Sequence, residues 1–249
     1  MDEIPDDHPR AQSLRIRHEI IDGMHKKIVA EAGLIAHGRG EAYDYLLGEK
    51  THQFAKTAIK AAAAMLKLAQ HPIISVNGNV AALCPDELIK FSKTTNIPIE
   101  INLFYRSEER IEAIKNHLET HESGMVLGVD PIFYDQIEEL SSQRRIVDKR
   151  GIKVADVVLV PLEDGDRTEA LKKNGKNVIT IDLNPLSRTA NQADITIVDN
   201  VIRVFDQLLN EFNQIKSESE ASKILEKYDN RSILLEAMRT ITTEFSSKI

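Results

Sequence analysis

Ala155-Asp-Val-Val-Leu-Val160, Val178-Ile-Thr-Ile-Asp182 and Asp194-Ile-Thr-Ile-Val198 follow one another closely in the last hundred residues of the 249-residue chain. Each run is short and rich in β-branched residues, and Ile73 to Val76, Pro98 to Phe104 and Met125 to Val129 repeat the pattern upstream. Several of the runs are continuously apolar. That character marks strands covered on both faces, as in a parallel sheet whose crossover helices hide it from water. Most of the links are long enough for a helix, so the reading is α/β, a doubly wound and mostly parallel sheet.

Outward from that core, both ends read as helix. Leu14, Ile20, Ile21 and Ile28 space an amphipathic helix from Arg10 to about Val29, with Arg10 and Arg17 on one face. A second helix is expected from about Gly40 to Leu47, and an alanine-rich third from Thr51 to Gln70, closed by His71-Pro72. Prolines in Cys84-Pro85-Asp86-Glu87 and Asp130-Pro131 suit first helical turns. The last fifty residues are helical, broken near Ser217 to Ser219 and at Tyr228-Asp229-Asn230, and their apolar stripe suits packing or an oligomer surface. One domain is expected over 1–249: a helical part at 1–71, the α/β core at 72–200 and C-terminal helices at 201–249.

Composition removes several classes. A net charge of -7 argues against a general nucleic-acid binder. Cys84 is the only cysteine, which excludes an intramolecular disulfide and a Cys-rich zinc site and suits the cytoplasm. The acidic N-terminus lacks a signal-peptide pattern, and the longest apolar-rich stretch, Ala61 to Leu68, is too short to span a bilayer, so no membrane partner is expected. His117 and His121 form a His-x-x-x-His pair, but Leu118 stands where a zinc-protease helix needs Glu. They read as a solvated helix face, and no structural metal is assigned.

The segment Glu31 to Thr51 carries the first functional signal. Glycines 33, 38, 40 and 48 lie among His37, Arg39, Glu41, Asp44 and Lys50. Gly38 and Gly40 flank Arg39, so a loop here would bring backbone amides and a guanidinium to a bound anion, which points to a phosphorylated ligand. The alternative is a helix-loop-helix corner. Gly48-Glu49-Lys50-Thr51 is not a P-loop, because Glu49 separates Gly48 from Lys50 and no strand leads in. Asn77-Gly78-Asn79, after the first core strand, is either a ligand cradle or a plain turn. Glu163, Asp164 and Asp166 fit Mg²⁺, an ammonium group or a solvated acidic loop. The polar link Asp182-Leu183-Asn184-Pro-Leu-Ser187-Arg188 leaves a strand's carboxyl end, where open α/β sheets bind ligands.

Taken together, Ala30 to Thr51, His8-Pro9-Arg10, Ser13-Leu-Arg-Ile-Arg17, Ser75-Val-Asn-Gly-Asn79, Val160-Pro-Leu-Glu-Asp-Gly-Asp166-Arg167 and Ile181-Asp-Leu-Asn-Pro-Leu-Ser-Arg188 strongly resemble archaeal phosphopantothenate synthetase, the 4-phosphopantoate-beta-alanine ligase family. The likeness runs from His8 to the C-terminus. It implies a homodimer with a Rossmann-like core that uses ATP and Mg²⁺ to join 4-phosphopantoate to beta-alanine, releasing AMP and diphosphate in coenzyme A biosynthesis. By motif, it implies ATP contacts at Arg17, Arg39, Asp182, Leu183, Asn184, Ser187, Arg188, Asp199 and Asn200. Arg39 and His37 are the catalytic candidates, Arg39 as a fixed cation and His37 as a phosphate donor, a loop-holding group or a proton-transfer group. Gly38, Gly40, Asn77, Gly78 and Asn79 are the candidates for holding the acid. A nicotinamide-dependent oxidoreductase is the first rival, but its Gly-x-Gly-x-x-Gly fingerprint is absent. A non-catalytic nucleotide-binding module is the second.

Overall fold

The computed structural model describes residues 4–8, 10–121 and 126–247, with side chains to 243. Pro9 of the His8-Pro9-Arg10 motif and Met125, the expected start of the third strand, lie outside them. Three helices lead the chain: α1 (Ala11–His25), α2 (Glu31–Leu46) and α3 (Gln53–Leu68). The core then runs β1 (Pro72–Val76), α4 (Gly78–Leu83), α5 (Pro85–Thr95), β2 (Ile99–Ile101), α6 (Glu108–Thr120), β3 (Val126–Leu127), β4 (Tyr134–Gln136) and β5 (Ile146–Asp148). It continues with β6 (Val157–Pro161), α7 (Gly165–Lys173), β7 (Asn177–Ile181), α8 (Arg188–Gln192) and β8 (Ile195–Ile197). Three further helices follow: α9 (Val201–Gln214), α10 (Glu218–Glu226) and α11 (Asn230–Ser247).

Six of the strands form one parallel sheet in the order β3-β2-β1-β6-β7-β8, while β4 and β5 pair antiparallel beside it. The order reverses between β1 and β6, as in Rossmann-like sheets, and so opens a crevice at the carboxyl ends of those strands. Strand alternation divides the core. Ile74, Val76, Leu159, Ile179, Ile181, Ile195 and Ile197 face the larger cluster with α3, α5 and α9, whereas Ile73, Val158, Val160 and Val178 face a smaller one with α7 and the hairpin. Continuous apolar strands are thus explained by two buried faces.

Pro85 and Pro131 both start helical turns, the second a short 3-10 turn, because proline lacks the N–H that a helix start leaves unused. The C-terminal breaks fall where expected, with Ser217 capping α10 and α11 starting at Asn230. Val204, Phe205, Leu208 and Leu209 of α9 are buried against the core. Three expectations need correction. The first helix stops at His25, four residues early, because Lys27 takes a left-handed conformation (φ 63°). The β4–β5 hairpin has no clear sequence pattern and was not anticipated. His117 and His121 do not form a simply solvated face: they pack edge to face with centroids 4.9 Å apart, His117 Nε2 is buried, and His121 Nδ1 meets Asp86 at 2.5 Å. No helix among the described residues is long and apolar enough to cross a membrane.

The second face buries a carboxylate. Glu100 on β2 is fully enclosed and accepts hydrogen bonds from the backbone N–H groups of Asp148 (3.0 Å) and Ile152 (2.6 Å), one on each oxygen. Burial pushes its carboxyl up to about 7 against the pull of those donors and of Arg167. The stability attached to this group is complete below about pH 4.5 and is lost as the pH rises through about 7. In Glu100→Gln an amide NH₂ must face an N–H donor. The variant is expected to unfold with about 1–3 kcal/mol less free energy at pH 6 and to lack the pH component between 5 and 8. Urea unfolding across that range checks both.

Candidate functional site

Helix α2 holds the main surprise. Gly33, Gly38 and Gly40 are all helical, so their amides are bound within the helix and form no anion cradle; only Gly48, after the helix, has positive φ (81°). The expected loop at residues 31–40 is therefore corrected to helix. The glycines serve close packing instead. A Cβ at Gly33 would overlap Asn79 Oδ1, and Asn79 Nδ2 donates to Gly33 O at 2.9 Å. Gly40 faces Leu183, whereas Gly38 points to open space.

What α2 forms with the sheet is a cavity of about 320 Å³ along the strands' carboxyl ends. His37, Arg39, Gly40 and Glu41 supply one wall. Asn77, Gly78 and Asn79 after β1, Leu162 and Asp164 after β6, Leu183 after β7 and Asn200 after β8 supply the floor. Asn77 caps α4 by accepting from Val80 N (3.2 Å), and its Nδ2 donates to Pro161 O and Leu162 O (both 3.1 Å). That amide ties β1 to β6 at the point where the strand order reverses. The first βα turn thus carries Asn-Gly-Asn and not a dinucleotide fingerprint. His37 is half-buried, and desolvation holds its imidazole below the usual range, so it is neutral at pH 7.

Several of the expected nucleotide residues stand back from the cavity. Arg17 grips Glu41, with Nε at 3.0 and 2.9 Å from the two carboxylate oxygens and Nη2 at 2.7 Å. Asp182 builds its turn, accepting from Asn184 N (2.9 Å) and Ser187 Oγ (2.5 Å), while burial raises its carboxyl above the ordinary range. Ser187 also caps α8 through Ala190 N. Arg188 turns outward to Asp166 (2.6 Å) and Glu169 (2.8 Å), beside a neighbouring cavity of about 290 Å³. Asp199 is buried and faces Thr51 Oγ1 (2.6 Å) and Arg203 Nε (2.8 Å), away from the cavity. Of that set, Arg39, Leu183 and Asn200 line the cavity directly.

The acidic stretch after β6 is divided. Glu163 is enclosed between Arg144 and Arg167; burial would raise its carboxyl, but the two guanidiniums outweigh burial and hold it below the usual range. It is not open to a cation. Asp164 remains on the cavity wall, raised by burial. Sequence reasoning missed Arg110, Arg144, Phe104 and Tyr105, which also line the cavity. No local pattern marks them, since they come from α6 and from loops far apart in sequence.

A parallel sheet with a basic cavity across its switch point is the architecture of α/β proteins that hold phosphorylated small molecules. Comparison gives the particular family. The profile of phosphopantothenate/pantothenate synthetase matches residues 54–244, and the chain belongs to that family. It is 52% identical over 238 residues to the 4-phosphopantoate–beta-alanine ligase of Thermococcus kodakarensis, covering 94% of this chain and 90% of the relative. The ligase of the same name from Methanosarcina mazei is 48% identical over 243 residues, covering 97% and 95%.

One ion cluster fastens α2 to the core. Arg203 of α9 reaches Asp44 (2.6 and 3.1 Å) and Asp199 (2.5 and 2.8 Å), and Asn200 Nδ2 adds a bond to Asp44 (2.8 Å). Arg203→Met leaves two buried carboxylates unpaired, so a loss of about 3–5 kcal/mol is expected. Chemical unfolding measures the loss, and hydrogen exchange should show α2 opening before the sheet.

Proposed function

We propose that this chain is a single-domain ATP-dependent ligase that condenses (R)-4-phosphopantoate with beta-alanine to give 4'-phosphopantothenate, AMP and diphosphate in coenzyme A biosynthesis. The observation that carries the reading is the basic switch-point cavity, in a chain about half identical over nearly its whole length to relatives named for that reaction. A carboxylate is a poor acylating agent. Attack of its oxygen on the α-phosphorus of ATP, with diphosphate leaving, gives an acyl adenylate; the amine of beta-alanine then attacks the acyl carbon and AMP leaves. Negative charge grows on phosphate oxygens in the first step, and a fixed guanidinium in a cavity is suited to meet it.

Arg39 is the cation on the α2 wall for that charge, and Arg17 of α1 is held by Glu41, two residues beyond Arg39 on α2. The Asp182 to Ser187 turn and Asn200 offer polar groups to the ribose and base. Ser187 and Asp199 act on the nucleotide through the turns they hold. Neutral His37 accepts the proton that beta-alanine's ammonium must lose before it attacks. Asn77 and Asn79, whose amides are engaged by the backbone of Pro161, Leu162 and Gly33, shape the floor on which the pantoyl group lies above Gly78. Among the described residues no group of three His, Cys, Asp or Glu is placed to hold a metal. The donor set suits Mg²⁺ that arrives on ATP phosphates and needs one or two carboxylates, with Asp164 the cavity carboxylate least committed elsewhere. Mg²⁺ would supply charge neutralisation there. The reading places the protein in the cytoplasm as a homodimer, and exposed Ile35, Tyr45 and Leu46 on α2 give a second copy apolar surface to cover.

Purified protein with Mg-ATP, beta-alanine and 4-phosphopantoate is expected to form AMP and diphosphate, and ADP would overturn the adenylate route. Arg39→Ala should lower kcat/KM about 100-fold or more with unfolding unchanged. His37→Asn should lower kcat about 100-fold and remove the acid limb of the pH profile. That limb lies below the ordinary histidine range, because activity is lost as His37 gains a proton.

A further inference from the structure

A second concavity, of about 660 Å³, opens between α3, α9 and α10 and shares no lining residue with the switch-point cavity. Lys56 and Lys60 stand one turn apart on α3, and Lys223 and Lys227 one turn apart at the end of α10, which packs against α3. All four are exposed, and among the described residues none of their ammonium groups has a hydrogen bond or an ion pair. Elsewhere the chain matches lysines to acids: Lys26 to Asp22, Lys90 to Asp206 and Lys172 to Asp194. In this groove four ammoniums meet two carboxylates, Glu211 and Glu220, and Glu220 already accepts from Lys216 N (3.0 Å). In a protein of net charge -7 that is a local excess of positive charge.

Like charges one turn apart on a helix repel, and here two such pairs border one groove. An anion lying between the helices relieves both pairs at once. The lining also selects the kind of anion. A single small anion meets screened lysines one at a time, whereas oxyanions joined in a chain meet both walls together and are held by several charges. Lysine suits that role, because its ammonium is a compact point charge on a flexible stem and imposes no planar fork on the oxygens it meets. Thr57 and Ser219 add hydroxyl donors, and Ala61 and Ile224 add apolar surface. Tyr228 offers its ring, since its hydroxyl accepts from Thr196 N (3.2 Å) and donates to Asn230 Oδ1 (2.8 Å). The volume is that of a small-molecule site.

We propose that the groove between α3 and α10 is a second ligand site, for a small molecule that carries an oligophosphate chain. Lys56 and Lys60 hold the chain from α3, and Lys223 and Lys227 hold it from α10. The site is separate from the ligase chemistry and stands whether or not that reading holds.

Metal-free tripolyphosphate is the first probe, with limited acylation of lysine amines read by mass spectrometry on the whole protein. It is expected to slow acylation of Lys56, Lys60, Lys223 and Lys227 and to leave exposed Lys173 unchanged, while sodium chloride at equal ionic strength protects none of them. In Lys223→Gln/Lys227→Gln, the affinity read from protection of Lys56 and Lys60 should fall about 10-fold, with urea unfolding unchanged. Arg39→Ala, which removes a cation from the other cavity, should leave that affinity within about twofold. Protection spread over all exposed lysines, or absent from these four, overturns the site. So does an affinity that falls in Arg39→Ala and not in the lysine variant. Protection that needs no added anion and rises with protein concentration assigns the groove to a second copy and likewise overturns it. ADP is compared by the same footprint: tighter protection by ADP supports a nucleotide as the ligand, and tighter protection by tripolyphosphate supports a bare chain.

Discussion

Arg203 between Asp44 and Asp199 is the interaction on which the site's geometry rests. Asp44 is the only buried residue of α2, and it is spent on the guanidinium, while Leu34 and Tyr43 pack against the core from partly buried positions. Asp199 follows β8 and Arg203 lies one turn into α9, so the clamp joins the N-terminal helices to the sheet's carboxyl edge. Thr51 and Gln207 extend it, with Thr51 Oγ1 donating to Asp199 and accepting from Gln207 Nε2 (3.0 Å). Paired buried charges repay their desolvation only when their geometry is good and their remaining valences are met. Here two carboxylates divide one guanidinium's donors, and amide and hydroxyl groups fill the rest.

The sheet sets where chemistry can occur. Parallel strands with both faces covered leave only their ends open, and reversal of order between β1 and β6 parts the following loops. Asn77 spans that gap by bonding the carbonyls of Pro161 and Leu162. Above it, α2 lies close enough to complete a cavity because Gly33 lets Asn79 approach its backbone. Positive charge then accumulates on both walls: Arg39 on the helix, Arg110 and Arg144 opposite. A chain of net charge -7 builds a basic interior by spending its acids elsewhere, as surface pairs and as the enclosed Glu163.

Legibility in the sequence followed the range of the interactions. The strands were readable because burial on two faces demands apolar runs at each, and the C-terminal helix breaks because Ser217 and Asn230 signal locally. The glycine segment misled because glycine permits both a loop and a close helix contact, and only the neighbour distinguishes them. Asp199 and Arg188 stand at strand ends as ligand residues do, yet their side chains satisfy Arg203 and Glu169. Arg110 was invisible as a cavity residue because its surroundings come from Ile28, Gly78 and Arg144.

By itself the sequence determined the α/β class, the helical ends and, through the order of its motifs, the family, since these depend on local periodicity and on residue order. The tertiary structure decided which polar groups face the cavity and which face each other. That choice is made by pairing across long stretches of chain, where the cost of burying an unpaired charge selects partners that no local pattern can name.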